Sequence, residues 1–241
     1  MHLSVIIPAY NEEKRLPGTL AEIEKYLSRQ NYDWEIIVVS DGSTDRTTEI
    51  VREKMKNSQN LRLSEFKKRL GKGGGVREGM LAAKGDFRLF TDADNSTAID
   101  QVEKMWPHLN QGYDVVIGSR DVKGAILDPP QPFLRKMILG SGFKLLRKLI
   151  IDLWSLADTQ CGFKCFTQKA ARDLFPRLTI FGFSFDAEVL VLAKKFGYKI
   201  KETPIYWKND LESKVKFKSV VKMFFELWKI RCNLITGKYG K

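Results

Sequence analysis

Short runs of β-branched and aliphatic residues alternate with amphipathic segments along the first two-thirds of the chain. The runs are typical of strands buried on both faces, and the segments between them have the spacing and end residues of helices. The predicted strands are residues 3–7, 35–40, 61–65, 86–91 and 114–119. The predicted helices are residues 17–28, 45–56, 74–84 and 100–110. This alternation predicts an α/β fold with a mainly parallel central sheet flanked by helices.

The last third contains two basic amphipathic segments, residues 133–154 and 215–235, on either side of a mixed stretch at 161–206. Helical periodicity places two sets of side chains on opposite sides of the first segment, namely Lys136, Lys144, Arg147 and Lys148 against Ile138, Leu139, Leu145, Leu146, Leu149 and Leu153. In the second segment the two sets are Lys218, Lys222, Glu226 and Lys229 against Val220, Phe224, Leu227 and Trp228. Such helices either pack on the sheet with a basic side in solvent or bind an anionic lipid surface.

The composition favours anionic partners. Lys and Arg number 41 against 29 Asp and Glu in 241 residues, which gives a formal charge of +12 and attracts nucleic acid, anionic lipid or phosphorylated substrates. The three cysteines form no CxxC pair and have no histidine neighbours, which argues against a zinc site or a disulfide framework. No uncharged apolar run reaches the roughly 18 residues that a membrane span needs. We expect a soluble or peripherally bound protein.

Polar residues follow three predicted strands at the point where each strand ends. They are Pro8, Tyr10 and Glu12 after the first strand, Asp41 after the second, and Asp92 and Asp94 after the fourth. Ligands bind beyond the carboxyl ends of the strands in such sheets, so these residues are expected to line one site. Two carboxylates offer hard oxygen ligands to Mg²⁺ or Mn²⁺, which neutralises a departing diphosphate. The sequence therefore predicts a divalent metal at Asp92 and Asp94.

A basic, glycine-rich segment at residues 67–77 precedes the third predicted helix. Backbone amides, a helix N-terminus and the nearby Lys72 and Arg77 suit a phosphate group. The spacing of a Walker loop is absent. A solvated basic loop is the alternative interpretation.

Six motifs in register resemble glycosyltransferase family 2. They are VIIPAYNE, the DGS at 41–43, GKGGGVREGM, the DAD at 92–94, the GSR at 118–120 and DTQCGFK at 158–164. Over about residues 5–215 the chain is similar to the dolichyl-phosphate glucosyltransferase and mannosyltransferase group, and DTQCGFK is closer to the glucosyl branch. The resemblance implies a GT-A-type fold, with a catalytic domain at 1–212 and a basic amphipathic helix at 213–241. A nucleotide-binding half would cover about 1–120 and an acceptor half about 121–212.

The resemblance also implies roles for the strand-end residues. Pro8, Tyr10 and Glu12 would hold the nucleotide and Asp41 its base, while Asp92 and Asp94 would hold the metal and the diphosphate. UDP-glucose is the favoured donor and a dolichyl or polyprenyl phosphate the acceptor. GDP-mannose and a saccharide acceptor remain alternatives.

A phosphate acceptor fits the scarcity of histidine, since His2 and His108 are the only two. A phosphate monoester has a second pKa of about 6 and attacks as a dianion without a general base. It needs cations instead, and the candidates are Arg120, Arg135 on the apolar side of its segment, and Lys214 by resemblance. We expect an inverting displacement that gives a β-linked lipid phosphate sugar.

Two other classes of protein share some of these features. A nucleotidyltransferase usually has a glycine-rich loop after its first strand, where this chain has Pro-Ala-Tyr-Asn-Glu. A basic RNA-binding module leaves Asp92 and Asp94 unexplained, because paired acids repel phosphate. We therefore expect a metal-dependent enzyme with no nucleic-acid partner. It would be cytoplasmic and peripheral at the cytoplasmic face of an anionic membrane.

Overall fold

A central seven-stranded sheet organises the computed structural model, which describes residues 2–130, 142–208 and 217–240. The strand order is β3-β2-β1-β4-β7-β5-β8, and β6 and β9 form a separate two-stranded ribbon. The strands are β1 Leu3–Ala9, β2 Trp34–Asp41, β3 Leu61–Phe66, β4 Phe87–Thr91, β5 Val115–Ser119, β6 Ile126–Asp128, β7 Phe163–Thr167, β8 Ile200–Pro204 and β9 Tyr206–Lys208. The five predicted strands are all confirmed, and each predicted end lies within two residues of the observed one.

The helices cover both faces of this sheet. They are α1 Leu16–Leu27, α2 Thr47–Met55, α3 Lys72–Ala82, α4 Trp106–Asn110, α5 Gly142–Ile151, α6 Gln168–Leu174, α7 Phe185–Lys195 and α8 Phe217–Ile235. Successive residues of β1 enter different apolar clusters, with Ile6 on one face and Val5 and Ile7 on the other. A sheet buried on both faces explains why its strands read as continuous apolar runs.

The fourth predicted helix is divided in two. Residues Ile99–Lys104 form a 3₁₀ helix, and α4 begins at Trp106 with Pro107 in its first turn. Proline has no backbone N–H to donate to the preceding turn, and its fixed φ suits a helix start. The proline therefore begins a new helix where the apolar periodicity alone predicts continuation.

Strand β7 is the feature that the sequence pattern does not predict. It lies between β4 and β5 and pairs antiparallel with both, whereas the pairs β1–β2, β1–β4, β2–β3 and β5–β8 are parallel. Because β7 runs the other way, its first residue lies at the edge where β4 and β5 end. The prediction of a mainly parallel sheet is confirmed, with this one reversal.

The face assignment of the first basic segment is wrong over α5. Arg147, predicted on the solvent side, is 1% exposed, whereas Leu149, predicted on the apolar side, is 61% exposed. The Arg147 guanidinium donates hydrogen bonds to the Thr159 hydroxyl and the Leu156 carbonyl. Burial lowers the pKa of Arg147. The inner face of α5 thus contains a buried arginine whose acceptors lie in the segment that follows the helix. Helical periodicity alone assigns a charged residue to the solvent face.

The second segment is also corrected in part. Leu227 is fully buried as predicted, but Trp228 is 50% exposed and Glu226, placed on the basic side, is 9% exposed. Glu226 accepts a hydrogen bond from the Ser184 backbone N–H just before α7, where a helix N-terminus favours an acid. Among the described helices, none combines the length and the hydropathy needed to cross a bilayer.

Candidate active site

The predicted site residues converge at one edge of the sheet. Asp41 ends β2, Asp92 follows β4 and Arg120 follows β5, and these strands share one direction. The start of β7 lies at the same edge because that strand is antiparallel. The sheet topology therefore gathers motifs that are far apart in sequence, as expected for the carboxyl edge of an α/β sheet.

Asp92 and Asp94 form the acidic centre of this edge. The Asp92 Oδ1 lies 2.6 Å from the Lys72 Nζ, at the first residue of α3. Asp94 accepts a hydrogen bond from the Ser96 backbone N–H at 3.0 Å, and its Oδ2 lies 3.9 Å from NH1 of Arg15. Burial, followed by the charge of Asp92, raises the pKa of Asp94. The two carboxylates therefore repel each other, and a cation bound between them would offset that repulsion.

Lys72 is the resident cation of this centre. Burial works to lower its pKa, but Asp92 and then Asp186 oppose that effect, and the pKa is raised. The ammonium therefore stays charged. The sequence predicts Lys72 as a phosphate contact, and the structure brings it to the aspartates at the start of α3.

Asp41 fixes the glycine-rich segment. Its two carboxylate oxygens accept hydrogen bonds from the backbone N–H groups of Leu70, at 2.5 Å, and Gly71, at 2.9 Å. Gly71 has φ of 94°, and a Cβ there would lie 2.3 Å from the Phe181 carbonyl oxygen. The segment is thus an ordered turn that leads into α3. The sequence does not predict this structural role of Asp41. Its contact with a base stays a prediction.

The loop after β1 lies beside that turn. The Arg69 guanidinium lies 3.8 Å above the centre of the Tyr10 ring. The Glu12 carboxylate accepts hydrogen bonds from Arg15 at 2.7 Å, and the Glu12 backbone N–H donates to the Thr47 hydroxyl. Pro8 lies within β1 and faces α3, where a Cβ on Gly75 would lie 3.7 Å from the Pro8 Cβ. The loop therefore has an ordered frame, and nucleotide binding by it stays a prediction.

Arg77 makes different contacts. Its Nε donates a hydrogen bond to the Phe175 carbonyl at 3.3 Å, and its NH1 donates to the Glu78 carboxylate at 2.8 Å. These contacts hold the guanidinium against the residues that follow α6, while Lys72 on the same helix meets the aspartates. A role of Arg77 in nucleotide binding stays a prediction that these contacts do not support.

Arg120 is paired at the site edge. Its guanidinium forms two hydrogen bonds to the Asp158 carboxylate, at 2.7 and 3.0 Å, and lies 4.8 Å from the centre of the Trp207 ring. Burial works to raise the pKa of Asp158, but the Arg120 charge outweighs it and holds that pKa well below its usual range. The guanidinium has five donors, so other N–H groups remain for a ligand. Arg135 and Lys214 lie outside the described residues.

Three contributors to this edge are missed by the sequence reasoning. Arg15 lies 3.9 Å from Asp94, and Lys164 forms an ion pair with Asp186, whose carboxylate senses the charge of Asp92. Lys164 ends the DTQCGFK motif, but the sequence gives none of the three residues a role at the site. Asp186 stands 22 residues from its partner Lys164. The one local signal for it is an otherwise apolar helix whose first turn carries two acids, Asp186 and Glu188, in FDAEVL.

The carboxylates at this edge can supply only part of the coordination of a metal ion. Within the described part of the chain, no cluster of three or more His, Cys, Asp or Glu side chains has a metal-binding arrangement. Two aspartates fit a hard divalent cation only if a nucleotide diphosphate supplies further oxygen ligands. The protein would thus supply the two carboxylates, and the nucleotide would supply the other ligands.

The chain is similar in sequence to known proteins over most of its length. Residues 4–175 match the sequence pattern of Glycosyl transferase family 2. A dolichyl-phosphate beta-glucosyltransferase of Trichomonas vaginalis is 37% identical, with 95% of this chain and 73% of that protein covered. The dolichyl-phosphate beta-glucosyltransferases of Saccharomyces cerevisiae and Homo sapiens are 37% and 34% identical, with 98% of this chain covered in both and 76% and 77% of those proteins.

Solved structures share the fold. Glucosyl-3-phosphoglycerate synthase from Mycobacterium tuberculosis, in complex with Mn²⁺, UDP and glucosyl-3-phosphoglycerate, has a TM-score of 0.71 and 19% identity over 96% of this chain and 80% of that one. Mannosyl-3-phosphoglycerate synthase from Rubrobacter xylanophilus has a TM-score of 0.72 and 17% identity, with 100% and 76% of the two chains covered. The expected GT-A fold is confirmed. The chain belongs to glycosyl transferase family 2.

Proposed function

We propose that the protein transfers glucose from UDP-glucose to dolichyl phosphate, with inversion at the anomeric carbon, to give a β-linked lipid phosphate sugar. The names of the relatives support the lipid acceptor and the β-linked glucosyl product. The observation that carries the proposal is the Asp92–Asp94 pair beside Lys72 at the start of α3. That arrangement suits a sugar diphosphate, because it joins two acids for a cation to a helix start for phosphate.

Each residue of the edge then has a task. Asp92 and Asp94 would hold Mg²⁺ or Mn²⁺ and through it the donor diphosphate. A bound cation would neutralise the negative charge that builds on the departing diphosphate. Lys72 supplies a second positive charge at 2.6 Å from Asp92. Pro8, Tyr10, Glu12 and Asp41 would frame the nucleoside, and Arg120 would use its remaining donors for the acceptor phosphate.

The histidines lie away from this edge. His2 precedes β1 at the amino end of the sheet and packs against Tyr32, Phe87 and Trp106. His108 lies in α4 and packs against Tyr113. Neither is placed to remove a proton at the carboxyl edge. This supports an acceptor that is already an anion, such as a phosphate monoester.

The decisive test is transfer of label to lipid. Purified protein with Mn²⁺ or Mg²⁺ is incubated with radiolabelled UDP-glucose or GDP-mannose and dolichyl phosphate, and label is counted in the organic phase. We expect transfer from UDP-glucose, with far less from GDP-mannose, and none after chelation of the metal. Transfer to a saccharide instead of the lipid, or undiminished transfer in chelator, would contradict the proposal.

We also propose that the surface of α5 and α8 binds the cytoplasmic face of an anionic membrane. The two helices pack together. Large exposed apolar side chains on and beside them, among the described residues, are Leu146, Leu149, Trp154, Phe225, Trp228 and Ile235. Lys148 lies 5.8 Å from the centre of the Trp154 ring, and Lys222 is 72% exposed. Aromatic and aliphatic side chains next to lysines are typical of interfacial helices. The three cysteines are free thiols, which fits a reducing compartment.

Vesicle flotation tests this surface. The L149D/W228D variant is expected to lose binding to vesicles of phosphatidylcholine and phosphatidylserine, while M55D retains it, since Met55 is an exposed apolar residue at the end of α2. High salt should weaken wild-type binding because the anionic component is screened. Equal binding of all three proteins would refute the assignment.

A further inference from the structure

The Asp92 carboxylate lies directly against the backbone of Gly162. In the antiparallel pairing of β4 with β7, Thr91 is opposite Phe163, so Asp92 and Gly162 are the next residues beyond the paired strands. A Cβ at position 162 would lie 1.9 Å from Oδ2 of Asp92. Lys72 contacts the other oxygen, Oδ1. The carboxylate is therefore held between an ammonium on one side and a bare stretch of backbone on the other.

Lys164 connects that backbone to the body of the protein. It is a fully buried lysine in the middle of the sheet, and its Nζ donates hydrogen bonds to the Asp186 carboxylate and to the Cys161 carbonyl. Nζ also lies 5.1 Å from the centre of the Phe90 ring, beneath β4. Asp186, in the first turn of α7, is 3% exposed. One ammonium thus ties the residue before Gly162 to a helix that is distant in sequence.

Stability alone does not account for this pair. Moving two charges from water into a core costs more than their attraction commonly returns, and apolar side chains of similar size often stabilise the fold as well or better. The sheet could carry an apolar residue at position 164, as it does at Phe166, the next residue on the same face of β7, which is fully buried. What an apolar residue cannot do is donate a hydrogen bond to the Cys161 carbonyl.

We propose that Lys164 and Asp186 are positioning residues, which fix the Cys161–Gly162 backbone as the support for the Asp92 carboxylate. The inference rests on the proposed role of Asp92 in holding the metal and the donor diphosphate. The pair acts through the backbone and through the charge of Asp186, which also acts on Lys72 and Asp92, and G162A isolates the backbone part because it leaves that charge in place. Its loss lets the 161–162 backbone move away from Asp92, so that the carboxylate no longer has one fixed orientation and binds the cation less tightly.

The test measures Mn²⁺ binding by electron paramagnetic resonance in the presence of UDP, together with kcat, KM and the thermal midpoint. The K164M/D186N variant removes both charges at nearly constant volume. We expect it to fold, to bind Mn²⁺ about 10-fold more weakly or worse, as for other residues that orient a metal ligand, and to lose kcat. The control is E35Q/R62M, which removes an ion pair 2.5 Å apart at the amino end of the sheet, between the buried Glu35 and the 40% exposed Arg62. The control should lower the thermal midpoint without changing Mn²⁺ affinity.

A second variant decides the matter if the first does not fold. G162A adds one methyl group against the Asp92 carboxylate and leaves both charges in place, and we expect the same loss of Mn²⁺ affinity in a folded protein. Wild-type Mn²⁺ affinity in folded G162A, or in folded K164M/D186N, overturns the inference.

The D92N variant distinguishes failure of the proposed function from failure of the positioning role of Lys164 and Asp186. If D92N keeps full activity and Mn²⁺ binding, the proposed function of the site fails and this inference with it. If D92N loses both while G162A and K164M/D186N keep both, this inference alone fails.

Discussion

Arg120 and Asp158 face each other with two parallel hydrogen bonds, Nε to Oδ2 at 2.7 Å and NH2 to Oδ1 at 3.0 Å. The Arg120 backbone N–H donates to the same carboxylate at 3.1 Å. Asp158 in turn lies where Glu202 accepts hydrogen bonds from the backbone N–H groups of Ala157 and Asp158. The guanidinium is therefore held at the end of β5 in one orientation.

Replacement of Asp158 by Asn should destabilise the protein by about 3–5 kcal/mol, because the partly buried Arg120 guanidinium would lose the counter-charge of a buried carboxylate. Unfolding in urea, followed by circular dichroism, measures this effect. The exposed pair of Lys169 and Asp173 is the control, since K169M removes an ion pair with 75% and 52% exposed side chains. A D158N protein as stable as K169M would show that the pair is not coupled to folding.

The same pair predicts the response to acid. The pKa of Asp158 is lowered by Arg120, so its stabilising contribution is present above the ordinary aspartate pKa of about 4 and is lost as the pH falls through the lower, folded value. Between about pH 5 and 2 the wild type should therefore lose more stability than D158N. Parallel stability curves for the two proteins over this range would contradict the assignment.

Replacement of Asp94 by Ala should abolish metal-dependent transfer, with a loss of more than about 100-fold in kcat. The fold should survive, because Asp94 is partly exposed and its hydrogen bond to the Ser96 backbone is local. Activity is measured over a titration of Mn²⁺, and D173A serves as the control because Asp173 is a 52% exposed carboxylate in α6, away from the acidic pair. Retention of ordinary metal-dependent transfer by D94A would remove the aspartate from the site.

Replacement of Gly71 by Ala should weaken donor binding. The added Cβ would lie 2.3 Å from the Phe181 carbonyl, at a residue whose φ is 94°, so the turn that leads into Lys72 must shift. A rise of at least about 10-fold in KM for the sugar nucleotide is expected. G18A is the matched control, because no atom lies within 4 Å of its Cβ, and it should be neutral or stabilising by about 0.4–1 kcal/mol. Equal KM values for the two variants would show that the turn is not a phosphate cradle.

Replacement of Arg69 by Ala should raise KM for the donor by about 3- to 10-fold and leave kcat nearly unchanged, because a cation–π contact of about 1 kcal/mol orients Tyr10. Steady-state kinetics with R46A as the control measures this, since the Arg46 side chain is 68% exposed and lies just before α2. A fall in kcat without a change in KM would place Arg69 in a different role.

The sequence predicts the strands and the strand-end residues well, because a sheet buried on both faces imposes apolar runs and directs polar residues to its ends. It predicts the inner and outer faces of α5 and α8 poorly. A helical wheel counts Arg147 and Glu226 as solvent residues, whereas both are buried and form hydrogen bonds with backbone groups outside their own helices. The Lys164–Asp186 pair is invisible for a related reason, since only the folded chain joins β7 to α7.

The place of β7 has a consequence for how the chain must assemble during synthesis. In the described sheet, β5 contacts only β7 and β8, and it reaches β4 solely through β7. In a nascent chain that has emerged only up to residue 120, β5 therefore has no strand to pair with. The Asp92 carboxylate also lacks the Gly162 backbone against which it packs. Residues 1–120 therefore cannot form the complete sheet alone. The catalytic edge is completed only when β7 has been synthesised and pairs with both β4 and β5.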